Sequence, residues 1–195
     1  MKLDLDLLRA RGALLEGHFR LTSGLHSASY LQCARLLMDP LLATELGAQL
    51  AEVVGRLARG ARAKAVVAPA IGGILVAHEV ARALGCRALF TERQDGVMVL
   101  RRGFTLAKGE PVVVVEDVVT TGGSTRETID AARAHGADVI AAGCLVDRSG
   151  GAAELGLPLA RLLALEVPTW EAGECPLCAR GSRPEKPGSR ALAAE

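Results

Sequence analysis

The stretch VVVVEDVVTTGGST, residues 112–125, runs four valines into two carboxylates and then into a loop of hydroxyls and glycines. Residues 112–115 form a short continuous β-branched run, the pattern of a strand buried on both faces of a parallel sheet. Glu116 and Asp117 stand where that strand is expected to end. Thr120, Thr121, Gly122, Gly123, Ser124 and Thr125 make a tight polar loop, and RETIDAARAH (126–135) follows with helical spacing. Strand, polar loop and helix in this order aim backbone N–H groups and a helix N-terminus at an anion. The segment reads as a phosphate cradle with an acidic lip.

Outward from this stretch, strands and helices alternate. Residues 3–15 carry apolar residues at helical spacing, and residues 40–59 predict a strongly amphipathic helix with Pro40 near its start. Between them, GHFRLTSGLHSASYLQCARLL (17–37) is rich in Gly, Ser and Thr and reads as short strands or loops outside the main sheet. Residues 65–68 are a buried strand, PAIGG (69–73) breaks it, and 74–84 is a helix. Residues 87–91 predict a strand, and 92–111 a long polar connection with room for a short hairpin. Further strands are expected at 138–146 and 162–167, and the Gly-, Pro- and charge-rich tail from 171 is expected to be mostly irregular. This order predicts an α/β fold, a mainly parallel sheet flanked by helices. Ligands on such sheets gather at the carboxyl ends of strands. PAIGG, EDVVTTGGST and LVDRSGG (145–151) all fall there.

Composition narrows the partners. A chain of 195 residues, half of them hydrophobic, is expected to form a single domain over 1–195 with a real core. A net charge of +1 and 3% aromatic residues give no basis for a nucleic-acid partner. No apolar run is long enough to span a membrane, and the charged, amphipathic N-terminus does not read as a signal peptide. Cys33, Cys86 and Cys144 sit in apolar contexts, as buried free thiols of a cytoplasmic protein do.

The loop contains neither the Gly-Lys-Ser/Thr of a Walker loop nor the Gly-x-Gly-x-x-Gly of a dinucleotide fold. Two adjacent acids before a Thr-Gly loop suit a sugar phosphate with vicinal hydroxyls: carboxylates accept from the hydroxyls while the loop holds the phosphate. VVVVEDVVTTGGST resembles the phosphoribosyl pyrophosphate motif of type I phosphoribosyltransferases. GHFRLTSGLHSASY (17–30), LVDRSGG and the ending CPLCARGSRPEKPGSR (175–190) are similar to segments of the orotate phosphoribosyltransferases within that family, and the resemblance covers nearly the whole chain.

The resemblance implies a type I phosphoribosyltransferase-like fold with a small hood subdomain from about 17–36, a core over about 40–170 and a tail over 171–195. It implies transfer of the phosphoribosyl group from phosphoribosyl pyrophosphate to orotate, giving orotidine 5-monophosphate in pyrimidine biosynthesis. Glu116 and Asp117 are then expected on the ribose hydroxyls, residues Thr120 to Thr125 on the 5-phosphate, and Ala70, Ile71, Gly72 and Gly73 on pyrophosphate. Mg²⁺ is the implied cofactor, held mainly by substrate and water with Glu116 and Asp117 as protein ligands. Arg148 matches the family's orotate-binding arginine, with a surface arginine capping a strand end as the alternative, and Tyr30 and Leu31 match positions that line the base. Arg93, Arg101 and Arg102 lie where the family has a mobile catalytic loop; with Asp117 they are the expected catalytic residues. In the family that loop enters the partner's site, which implies a homodimer with loop exchange.

The chain departs from the family pattern at three places. Thr22 stands where many members carry a lysine, the loop offers arginines instead of lysine and histidine, and the first acid is Glu rather than Asp. Two other readings compete: a purine-base phosphoribosyltransferase, which has less need of Arg148, and a non-catalytic regulator that senses phosphoribosyl pyrophosphate. Cys175 and Cys178 have zinc-ligand spacing but form one pair with no histidine near in sequence. They are taken as ordinary tail cysteines, against a four-cysteine site shared across a dimer or a redox pair.

Overall fold

A computed structural model describes residues 2–21, 23–58 and 60–186. In chain order the elements are α1 (Leu5–Ala10), β1 (Leu14–Arg20), β2 (His26–Leu31), α2 (Ala34–Leu37), α3 (Pro40–Leu57), β3 (Ala65–Pro69), α4 (Gly73–Leu84) and β4 (Arg87–Gln94). They continue with β5 (Val97–Leu100), β6 (Pro111–Val119), α5 (Gly123–Ala134), β7 (Asp138–Asp147), β8 (Leu159–Ala164), β9 (Thr169–Trp170) and α6 (Pro176–Ala179). The main sheet has six strands in the order β5-β4-β3-β6-β7-β8, all parallel except the β4–β5 pair. A second, antiparallel sheet, β1-β2-β9, forms the hood.

Alternate residues of the central strands point to opposite faces, and each face has its own core. Val66, Ala68, Val113 and Val115 pack under α3 and α4, together with Leu46, Leu50, Val54, Val76 and Val80. Ala65, Val67, Val112 and Val114 pack on the other face with Ile129 and Ala132 of α5. Burial on both sides explains why these strands read as unbroken apolar runs. Helix α3 starts where Asp39 accepts from the N–H groups of Leu41 and Leu42 (3.1 and 3.3 Å), with Pro40 in the first turn. Helices α3 and α4 meet at Gly47: a Cβ there would lie 2.4 Å from the Cβ of Glu79. Glu79 is held at this crossing by Thr44 Oγ1 and Arg82 Nη2, each donating at 3.0 Å.

The chain winds from β3 to β4 in one direction and from β6 through β7 to β8 in the other. The strand order therefore reverses between β3 and β6, and at that point an open α/β sheet has a crevice. The two strands pair only over Ala65–Val67 and Val112–Val114. Past those pairs they part, and the PAIGG and EDVVTTGGST loops rise from the two sides of the split.

Several boundaries differ from the sequence expectation. The helix expected over 3–15 stops at Ala10: Gly12 takes φ +62°, and Leu14 and Leu15 join β1 opposite Leu31 and Tyr30. Apolar residues at this spacing satisfy either element, so periodicity alone did not mark the switch. Strand β6 does not end at the acids but runs to Val119, because Val118 and Val119 pair with Val146 and Asp147. The polar connection after residue 91 holds the short hairpin it had room for: β4 continues to Gln94 and β5 returns along it to Leu100. The last core strand spans Leu159–Ala164 rather than 162–167. The tail from 171 is less irregular than expected: α6 forms at Pro176–Ala179, and Glu185 bonds through its backbone to His18 (2.8 Å) and Arg20 (2.7 Å) on the free edge of β1. Thr22 lies outside the described residues, as do residues 187–195.

Candidate active site

The split between β3 and β6 brings the two loops into contact. Asp117 lies against Gly72: a Cβ at Gly72 would be 2.8 and 2.9 Å from the two carboxylate oxygens, so only glycine lets the PAIGG loop close on the acid. Ala70 is anchored by its N–H to Thr91 O (2.8 Å), the Ala70–Ile71 peptide is cis, and the Ile71 side chain is exposed. Gly73 starts α4 with no side chain capping the N-terminus.

The EDVVTTGGST loop is tied to its own acid. Ser124 Oγ donates to Glu116 Oε1 (2.6 Å) and Thr125 Oγ1 donates to Glu116 Oε2. Thr125 is fully buried, so its hydroxyl serves Glu116, whereas Thr120 and Thr121 are exposed and Gly123 and Ser124 half-buried. Gly122 takes φ +76° at the N-cap of α5, where no side chain caps the helix, leaving first-turn N–H groups directed outward. Burial pushes the Glu116 carboxyl up to about 7, with the charge of Asp117 adding to it and the two hydroxyl bonds opposing. Burial raises Asp117 as well, opposed by the Val118 N–H, which donates at 2.9 Å. A buried acid next to a half-buried one, with no cation paired to either among the described residues, is an arrangement for a ligand that supplies hydroxyls or positive charge.

A cation approaches from the third loop. Arg148 follows β7, its N–H bonded to Val119 O at 2.7 Å, and its side-chain Nε is buried with no partner among the described residues. Burial lowers its pKa, a sign of incomplete compensation. Tyr30 of β2 lies within electrostatic reach of both Asp117 and Arg148; burial, then the Asp117 charge, raises its hydroxyl, and Arg148 opposes them. The hood thus meets the sheet edge at the crevice. Leu31 is buried in the core beneath, next in the strand to Tyr30.

One framing residue escaped sequence reasoning. Asp147, 3% exposed, accepts from Ser149 N (2.8 Å), Ser149 Oγ (2.6 Å) and Arg161 Nη1 (3.0 Å). It folds the LVDRSGG loop that carries Arg148, and the Asp-x-Ser spacing of an Asx turn was its available signal.

A family model described as "Phosphoribosyl transferase domain" matches residues 43–178. The chain is 54% identical over 187 residues to the orotate phosphoribosyltransferase of Heliobacterium modesticaldum, covering 95% of this chain and 96% of that one. It is 55% identical over 188 residues to that of Acidithiobacillus ferrooxidans, covering 95% of each. The crystal structure of orotate phosphoribosyltransferase from Aeropyrum pernix superposes with a TM-score of 0.67 at 36% identity, over 82% of this chain and 92% of that one. The chain belongs to the orotate phosphoribosyltransferase family. The fold is that of a type I phosphoribosyltransferase.

For an orotate phosphoribosyltransferase, the arginines of the expected mobile loop stand in an ordered place. Arg93 donates to Gly96 O and to Glu127 on α5, each at 2.5 Å. Arg102, at φ +58°, makes a bidentate pair with Glu92 (2.8 Å each) and lies over the Phe90 ring, 5.6 Å from its centroid. Arg101 is exposed beside it. The hairpin tip at Asp95 and Gly96 projects past the end of β3, since Thr91 is already level with Pro69. A groove of about 570 Å³ between β5 and α5, lined by Val97, Met98, Glu127 and His135 among others, lies outside the crevice. The remaining surprise is in the tail. Cys175 and Cys178, with no histidine near in sequence, lie beside His18 and His26.

Proposed function

We propose that the chain transfers the 5-phosphoribosyl group of phosphoribosyl pyrophosphate to orotate, releasing pyrophosphate and forming orotidine 5-monophosphate in de novo pyrimidine biosynthesis. The observation that carries this reading is the buried Nε of Arg148, without a partner among the described residues and within electrostatic reach of Tyr30 at the acid-lined crevice. Orotate brings a planar carboxylate, which a guanidinium fork matches; a neutral purine brings none.

In this reading the two uncapped helix N-termini divide the phosphates. The N–H groups at Gly122 to Thr125 hold the 5-phosphate, and those at Ala70 to Gly73 face the pyrophosphate. Asp117 takes the ribose hydroxyls, with Glu116 beside it bracing Ser124 and Thr125. The reaction passes through an oxocarbenium-like state as the orotate ring nitrogen reaches C1, so the protein's work is positioning, charge compensation and exclusion of water. The crevice fits Mg²⁺: its acids are hard oxygen donors, and Asp117 keeps lone pairs beyond its bond to Val118 N–H. Bound there with substrate, Mg²⁺ supplies compensation for the pyrophosphate charge.

Arg93, Arg101 and Arg102 complete the site by closing over pyrophosphate from the partner subunit of a homodimer. Residues 1–195 act as one catalytic unit in the cytoplasm, a setting that suits the free thiols of Cys33, Cys86 and Cys144. No helix among the described residues is long and apolar enough to cross a membrane. The test is loss of orotate absorbance with phosphoribosyl pyrophosphate and Mg²⁺, with adenine, hypoxanthine and uracil as controls. Turnover of a purine in place of orotate overturns the assignment.

A further inference from the structure

Four ligand-bearing side chains converge under the hood, away from the crevice. His18 comes from β1, His26 from β2, and Cys175 and Cys178 from the turn that opens α6. Their ligand atoms all lie within 4.8 Å of one another, with both histidines and Cys175 buried and Cys178 half-buried. The separations are 3.0 Å for His18 Nε2 to His26 Nδ1, 3.4 Å for Cys175 Sγ to His18 Nε2, 3.8 Å for Cys178 Sγ to His18 Nε2, and 3.3 Å for Cys178 Sγ to His26 Nδ1. Zn–N bonds of about 2.0–2.1 Å and Zn–S bonds of about 2.3 Å put tetrahedral ligand atoms roughly 3.3–3.8 Å apart. These four separations, 3.0 to 3.8 Å, lie close to that spacing, and the shortest needs to open by only a few tenths of an ångström.

Hydrogen bonding alone does not account for this arrangement. His18 Nδ1 lies 3.1 Å from the carbonyl oxygen of Ser182, which can only accept, so Nδ1 carries the proton. In the neutral ring, Nε2 is then a bare lone pair, and three further groups crowd toward it: His26 Nδ1 and both sulfurs. A single lone pair takes one good donor. A central cation satisfies all four atoms at once, and an N–H to carbonyl bond on the far side of a histidine is the usual way such a ligand is oriented. The chain around the cysteines is shaped for it: Gly181, at φ +78°, and Ser182 turn the backbone back with bonds to Cys178 O (2.8 Å) and Leu177 O (3.1 Å).

We propose that His18 Nε2, His26 Nδ1, Cys175 Sγ and Cys178 Sγ bind one zinc ion, a structural centre that pins the C-terminal segment to the hood sheet. Two sulfur and two nitrogen ligands in tetrahedral array select zinc over the hard cation proposed for the crevice. Binding converts two thiols to thiolates and releases two protons, leaving the buried centre neutral. The centre closes a long-range connection: β9 on one edge of the hood, Glu185 on the other, and the metal between them.

The full chain, purified without chelator or added reductant, is to be analysed by elemental mass spectrometry. One equivalent of zinc per chain is expected. Cys175→Ser and Cys178→Ser should lose it, and Cys86→Ser, away from the cluster, should keep it. Exchange of zinc for cobalt in the wild type should produce the intense visible bands of tetrahedral cobalt and near-ultraviolet thiolate charge transfer. Cys178→His should keep a metal while losing about half of that charge transfer, since one of two thiolates remains. Chelation should lower the melting temperature of the wild type by several degrees. Should the serine variants fail to fold, the cobalt spectrum and chelator titration of the wild type decide alone. Wild-type protein without zinc that also gives no tetrahedral cobalt spectrum overturns the proposal. So does a Cys175–Cys178 disulfide in protein purified anaerobically, or undiminished zinc in Cys178→Ser.

Discussion

The crevice between β3 and β6 and the hairpin of β4 and β5 treat charge in opposite ways. In the crevice, Glu116 and Asp117 stand side by side, both raised by burial, and the Nε of Arg148 has no partner among the described residues. On the hairpin, Arg93 is already paired with Glu127 and Arg102 with Glu92. Uncompensated charge inside a fold is costly, and it persists where a ligand completes it. Charge on an exposed, paired side chain costs little to hold and little to release. The crevice is therefore preorganised for its ligand, while the hairpin has to give up existing contacts before it can contribute new ones.

The sharpest way to break this contrast is Asp117→Asn. Loss of turnover of about 100-fold or more is expected, with circular dichroism unchanged and a melting temperature no lower than wild type. Full activity would remove the acid from the proposed ribose contact. Next in size is a test of the hairpin across subunits. An Arg101→Ala/Arg102→Ala chain and an Asp117→Asn chain, each impaired alone, should recover activity toward half of wild type in mixed dimers. Mixed dimers as inactive as their parents would confine the hairpin to its own chain or remove it from catalysis.

Arg148→Ala comes third. Losing a charge-assisted contact costs about 1.5–3 kcal/mol, so the orotate KM should rise about ten- to a hundredfold while that for phosphoribosyl pyrophosphate barely moves. Equal weakening of both would make Arg148 a structural residue. A smaller effect separates the acids by pH. The Glu116 carboxyl sits at about 7 in the fold against an ordinary 4.5, so the native state holds its proton more tightly than the unfolded chain does. Stability should fall as pH rises from about 4.5 and level off above about 7. Glu116→Gln should flatten that fall in urea titrations; the flattening is partial, because Asp117 is raised in the same direction. A profile unchanged by the substitution would mean that Glu116 is not buried as a destabilised acid. Smallest of all, Glu92→Gln should free Arg102 with little change in melting temperature. Activity at or above wild type would show that the pair is a resting contact, and a marked loss would show that Glu92 holds the hairpin in its working shape.

What was legible in the sequence follows from where the information is local. The β6–α5 segment carries its whole meaning within 14 consecutive residues, so strand, loop, helix and acids were readable together. The split between β3 and β6 is a property of strand order, yet alternation of strands and helices was enough to point to the sheet's carboxyl edge. Other features depend on pairing. The run from 3 to 15 satisfied a helical period until Leu14 and Leu15 found Leu31 and Tyr30 across the hood. The hairpin after residue 91 was legible only as room within a polar connection, because the edge strand β5 buries little. The cysteines at 175 and 178 appeared isolated because their histidines lie about 150 residues away in sequence, on strands whose register alone brings them there.

Gly47 gives the crevice an unexpected adjustment. The side-chain-free contact with Glu79 sets how closely α3 and α4 approach, and α4 begins at Gly73, directly after the loop that abuts Asp117. Any methyl group added at Gly47 pushes on the same rigid rod whose far end frames the site. A substitution at this buried crossing is thus expected to shift substrate affinity while every group in the crevice keeps its identity. For anyone altering the enzyme, the spacing of two helices is as much a handle on the pocket as the pocket's own walls.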